Sequence, residues 1–173
     1  MVIIIAGSTH TGKTALAQKL LVKYGFPYLS QDHLKMGLIR SGFSTLTPEE
    51  EESDITCVLW PITREIIKTC IENKQNLIIE GCYIPFNYKD DFEDAYLKYI
   101  NYRCLIFSEQ YINVHYDDIM KHANDIECRG AGDADYCTKE MLLQTNASNL
   151  EKCKEADCEY ILIDAKYEVD IIL

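Results

Sequence analysis

Basic residues are scarce in this chain: 17 Lys and Arg face 28 Asp and Glu, a formal net charge of −11. Nucleic-acid sheaths and membrane-surface patches need clustered cations, so the composition argues against both kinds of partner. With 8 Gly and 4 Pro among 173 residues, and 47% apolar residues, collagen-like repeats, low-complexity sequence and disorder are excluded. No apolar run approaches the roughly 18 residues needed to span a bilayer. The opening Met1-Val-Ile-Ile-Ile-Ala-Gly has no basic residue before a short apolar stretch, unlike a secretory signal. A cytoplasmic protein is the expectation. CxxC pairs are also missing. The eight cysteines stand singly at Cys57, Cys70, Cys82, Cys104, Cys128, Cys137, Cys153 and Cys158, the last two being the closest. Zinc sites draw on tighter pairs, so these read as isolated reduced thiols.

What is present is a regular alternation. Val2–Ala6 is a continuous apolar run, as in a strand buried on both faces. A helical pattern follows from Lys13 to Tyr24 and closes at Gly25. Phe26–Leu29 predicts a second strand and Asp32–Arg40 a second helix. Thr47-Pro48-Glu49 combines a capping hydroxyl, a proline at the first helical position and first-turn acids. It predicts a helix running to Asn73, kinked or interrupted at Pro61. Leu77–Glu80 reads as a third strand, Lys89–Tyr96 as a short helix and Arg103–Phe107 as a fourth strand. Ser108 opens a helix to about Glu127, and a polar loop spans Glu127–Tyr136. Thr138 opens another helix to about Ala156, and Tyr160–Ile163 is the last strand. Without repeat or linker, residues 1–173 form one α/β domain with a parallel sheet between helices.

Gly7-Ser8-Thr9-His10-Thr11-Gly12-Lys13-Thr14 matches G-x-x-x-x-G-K-[ST] at every fixed position, between a buried strand and a helix. Glycines at both ends let the backbone turn successive N–H groups onto an anion, and the helix adds its positive end. Lys13 is placed for the β- and γ-phosphates, Thr14 for Mg²⁺. The motif predicts nucleoside triphosphate binding. GTPase signatures are lacking: no Asp stands three residues before a glycine, and Asn73-Lys74-Gln75-Asn76 ends in Asn. Four arginines and one short domain also fit a small kinase better than a motor ATPase.

This cradle, followed by Ser30-Gln-Asp32-His-Leu-Lys35-Met-Gly-Leu-Ile-Arg40 and Ile78-Ile-Glu80-Gly81, resembles the P-loop small-molecule kinase superfamily. That group includes adenylate-kinase-like, shikimate-kinase-like, zeta-toxin-like, chloramphenicol-phosphotransferase-like and 2-phosphoglycerate-kinase-like proteins. The resemblance implies a three-layer fold with sheet order 2-3-1-4-5, acceptor-binding helices over about 32–73 and a lid over about 127–138. It implies ATP and Mg²⁺ as cofactors and a small-molecule partner, the chain being a monomer or homodimer.

In that order the second and third strands end beside the cradle, where open α/β sheets bind ligands. Asp32 is then the candidate catalytic base or an acceptor-binding carboxylate, with a helix cap as its structural alternative. Glu80, beside Gly81, is a candidate for Mg²⁺, through water, or for the acceptor. Lys35 and Arg40 can meet an anionic acceptor or face solvent. Arg64 can bind an acceptor phosphate or form a surface ion pair, and Arg129 falls where such kinases carry a lid arginine. Asp164 and Ala165 are weaker candidates for base contact, and Trp60 reads as core. His115, Asp118 and His122 share a helical face but read as an ordinary polar face rather than a metal site.

The resulting expectation is an ATP- and Mg²⁺-dependent kinase acting on a hydroxyl. A nucleoside monophosphate kinase is an alternative, but no Arg occurs in Glu80-Gly81-Cys82-Tyr83-Ile84-Pro85, where that group carries one. A regulatory module with slow ATP hydrolysis and a toxin-like kinase acting on sugar nucleotides are the other readings.

Overall fold

The computed structural model describes residues 1–122 and 137–173. Cys128, Arg129 and most of the expected lid, residues 127–136, lie outside that range.

Strand β1 (Val2–Gly7) is buried at every position and lies at the centre of the sheet. Helix α1 (Lys13–Tyr24) leads to β2 (Tyr28–Ser30), α2 (Gln31–Arg40) and α3 (Glu52–Glu72). Then come β3 (Leu77–Glu80), a 3-10 turn (Tyr88–Asp91), α4 (Asp94–Leu97), β4 (Ile100–Phe107) and α5 (Glu109–Lys121). Helix α6 (Lys139–Glu155) and β5 (Tyr160–Ile163) complete the described elements. All five strands are parallel, in the order β2-β3-β1-β4-β5.

Alternation along β1 supplies both faces. Ile3 and Ile5 pack with Leu16, Leu20, Leu105 and Ile112 under α1 and α5. Val2, Ile4 and Ala6 pack with Trp60, Ile67, Ile79 and Ile106 under α3. Each fully buried Ile contributes roughly 1.5–3 kcal/mol of transfer free energy, which makes this six-residue strand the anchor of both layers.

The helices begin where their caps predict. Ser108 Oγ accepts from the Tyr111 amide at 3.0 Å, and Thr138 Oγ1 accepts from the Met141 amide at 3.2 Å. One start differs. Thr47-Pro48-Glu49 closes only a turn, with the Thr47 amide donating to Glu50 Oε1 at 3.2 Å, and α3 begins at Glu52. The capping side chain thus satisfies an amide without propagating a helix. Helix α3 also continues through Pro61, although proline removes the donor that would meet the Cys57 carbonyl. Strand β4 starts earlier than predicted, at Ile100, because it pairs with the whole of β1, from Val2↔Ile100 to Gly7↔Leu105.

β1 ends opposite Leu105, so the Phe107 amide beyond it needs another partner. Asn146 of α6, 1% exposed, provides it: its Oδ1 accepts from Phe107 N at 2.8 Å while its amide donates to the Leu142 carbonyl at 2.8 Å. Asn146→Ala leaves a buried amide unsatisfied and is expected to lower unfolding free energy by about 1–3 kcal/mol, read from urea denaturation.

Candidate active site

The segment between β1 and α1 is shaped by close approach. Gly7 has φ 140°, and a Cβ there would lie 2.6 Å from the Leu105 carbonyl oxygen of β4. Gly12 has φ 80° at the start of α1, and His10 also takes a left-handed conformation, φ 64°. Within the loop Thr9 Oγ1 lies 2.9 Å from His10 Nδ1, and Thr11 Oγ1 donates to the Ser8 carbonyl at 2.8 Å. Lys13 Nζ donates to the same carbonyl at 2.8 Å, folded over the loop. The buried Ser8 hydroxyl has no hydrogen-bond partner among the described residues. A loop without Cβ atoms at its ends, with a spare hydroxyl and a lysine across it, fits the phosphates of a nucleotide. Thr14, in the first turn of α1, follows this lysine and stays half-buried.

The neighbouring strands deliver carboxylates to Lys13. Ile5 of β1 pairs with Glu80 of β3, which pairs with Ser30 of β2, so these three residues lie side by side at the carboxyl end of the sheet. Glu80 is 1% exposed. Burial opposes the charged form of Lys13, but Cys82, Glu80 and Asp32 outweigh it, and its pKa is raised. Buried Glu80 and half-buried Asp32 thus help keep the ammonium charged where phosphate charge would gather.

Asp32, in the first turn of α2, is 3.1 Å from Lys35 Nζ, whose side chain is 12% exposed. Lys35 also donates to the Tyr83 hydroxyl at 2.8 Å and lies 5.0 Å from the centre of that ring. Burial works against the Lys35 charge, yet Tyr83 and Asp32 raise its pKa. The backbone that carries Tyr83 is held by Gln31. Its Nε2 donates to the Tyr83 carbonyl at 3.1 Å and to Thr63 Oγ1 at 3.2 Å, and its Oε1 accepts from the Tyr83 amide at 3.0 Å. A Cβ on Gly81 would stand 2.3 Å from Gln31 Oε1, so the clamp depends on a glycine there.

Lys13, Asp32, Lys35, Glu80 and Gly81 therefore gather at the carboxyl end of the sheet. Arg40 is exposed at the other end of α2, about 12 Å along the helix from Asp32. Arg64 pairs with Glu65 at 2.8 Å and Asp91 at 3.4 Å, and Asp91 also accepts from Trp60 Nε1 at 2.7 Å. Arg64 and the core residue Trp60 thus tie α3 to the 3-10 turn. His115 packs on Tyr111 and lies 3.8 Å from Asp118. Gln31, Cys82 and Tyr83 were not singled out from sequence. Their roles come from partners 32 to 69 positions away, although the run after Glu80 was a cue.

Solved structures share this architecture over nearly the whole chain. A gluconokinase from Sinorhizobium meliloti 1021, 16% identical, superposes with a TM-score of 0.55, covering 96% of this chain and 83% of its own. A shikimate kinase from Bacteroides thetaiotaomicron, 15% identical, gives 0.52 over 95% and 86%. The fold is that of the P-loop small-molecule kinases. A sugar kinase from Janibacter sp. HTCC2649, 18% identical, gives 0.50 over 94% and 84%. No protein-family model matches the sequence, and no curated protein does. The P-loop kinase order of strands, rather than side-chain identity, carries the likeness.

Burial, the largest influence on Cys82, pushes its thiol above the ordinary range, while Lys13 pulls the other way. A raised thiol pKa means less thiolate at a given pH. At pH 8 iodoacetamide is therefore expected to modify exposed Cys57 at least about tenfold faster than Cys82, read by peptide mass spectrometry.

Proposed function

We propose that this protein is an ATP- and Mg²⁺-dependent kinase that transfers the γ-phosphate to a hydroxyl of a small cytoplasmic metabolite. The lysine of the phosphate cradle supports this reading most directly: it lies folded over its loop, Nζ donating to the Ser8 carbonyl at 2.8 Å, with Asp32 in the first turn of the helix that follows β2. A carboxylate there accepts the acceptor's proton, while Lys13 offsets charge on the phosphates. The similar structures named for gluconate, shikimate and sugars point the same way, since such compounds present hydroxyls.

The chain's own contribution is alignment and electrostatics. Amides of residues 8–14 and the start of α1 gather the phosphates, and Lys13 neutralises their charge. Thr14 and Glu80 would hold Mg²⁺, which supplies further neutralisation when bound. Asp32 orients the hydroxyl and takes its proton, and Lys35 keeps Asp32 in place. Arg129 would add charge from the lid. A nucleotide acceptor is less well served. The segment after β3 offers the Cys82 thiol and the Tyr83 phenol, where phosphate recognition calls for a guanidinium.

ADP release is the assay, screened against nucleoside monophosphates, sugars, sugar acids and phosphorylated three-carbon acids. A sugar or sugar acid is expected to stimulate release; tight ATP binding with no stimulation by any acceptor would favour the regulatory reading. On the best acceptor, Lys13→Ala is expected to abolish turnover. Asp32→Asn is expected to lower kcat by about 10²-fold or more. Full turnover in Asp32→Asn would remove Asp32 from the role of base.

A further inference from the structure

After β5 the chain turns back along α1 and is fastened to it. Lys19 Nζ donates to the Val169 carbonyl at 2.7 Å, Lys23 Nζ to Asp170 Oδ2 at 2.8 Å and the Tyr24 hydroxyl to the Ile171 carbonyl at 3.0 Å. Val169 and Ile171 are buried in the same core cluster as Leu16 and Leu20. Residues 164–173 thus form a strap with two apolar anchors and several polar ties.

At the head of this strap Tyr167 reaches the phosphate cradle. Its hydroxyl donates to the Thr11 carbonyl at 3.1 Å, and its ring meets Phe107 edge-on with centroids 6.3 Å apart. The fit is close: a Cβ on Gly12 would fall 1.9 Å from the Tyr167 oxygen. The Thr11 carbonyl shares a peptide plane with the Gly12 N–H, and in a trans peptide the two point in opposite directions. The structure has no cis peptide bond among its described residues. Holding the carbonyl outward on Tyr167 therefore turns the Gly12 N–H away from the strap. Thr11 is tied in turn to the Ser8 carbonyl, which also takes the Lys13 ammonium. One chain of contacts runs from the strap through Thr11 and Ser8 to Lys13.

We infer that Tyr167 is a positioning residue that holds the cradle's amides in their anion-binding arrangement and so sets affinity for the triphosphate tail. This rests on the reading of the cradle as a nucleotide site. Binding then need not order the Thr11–Gly12 peptide, because a residue 156 positions away has already done so.

The test uses the full chain and Tyr167→Phe, which removes the hydroxyl and keeps the ring. Calorimetry measures MgATP and, separately, inorganic tripolyphosphate with magnesium, which has no base or ribose. Both dissociation constants are expected to rise about three- to tenfold, the range of one hydrogen bond. The KM for ATP is expected to follow, with the acceptor KM unchanged. Wild-type affinity of the variant for both ligands would overturn the inference. So would a loss seen with MgATP alone, which would assign Tyr167 to the base instead of the cradle. If the wild-type chain binds neither ligand, the nucleotide reading fails and takes this inference with it. That outcome is separable, since it is read on the wild type and not on the variant.

Discussion

A lysine ammonium withdrawn from water is tolerable only where other groups answer its charge. Lys13, 7% exposed, imposes that demand on this fold. The sheet order meets it. With β3 directly beside β1, Glu80 stands level with Ile5, and with β2 beyond, Ser30 and the start of α2 follow. The phosphate cradle and the carboxylates facing it are consequences of one strand permutation, and the site could not be assembled from neighbouring parts of the chain.

The parts of this arrangement visible in the sequence were those that local chemistry dictates. The apolar run of β1, the cradle glycines, the limits of α1 and β5, and the hydroxyl caps at Ser108 and Thr138 each state their structure within a few residues. The order of the strands did not come from periodicity; it was implied by the resemblance, and the structure has it. Thr47-Pro48-Glu49 misled because the features of a helix start also close an isolated turn. Pro61 misled in the opposite sense, since tertiary packing of Trp60 and Ile67 holds α3 together across it.

The candidate site divides along the same line. Lys13, Asp32 and Glu80 were legible because a motif and two strand ends announced them. Gln31 and Tyr83 were not, because a glutamine that clamps a backbone and a phenol that props a lysine look like ordinary polar residues until the chain is folded. At 15–18% identity the similar structures have the fold in common with this chain. Lys35 is a related case: its charge is committed to Asp32 and its ammonium donates to the Tyr83 hydroxyl, contacts that only the folded chain reveals.

The position of β1 also governs how the chain must be made. Its partners are distant in sequence, with Val2 against Leu77 on one side and Ile100 on the other. This segment leaves the ribosome before either partner strand, and long loops must close before either pairing is rewarded. Until then Val2-Ile-Ile-Ile-Ala6 is an uncharged, β-prone stretch with open edges, the composition that seeds intermolecular association. The strand buried at every position of the finished molecule is thus one that needs shelter while synthesis proceeds.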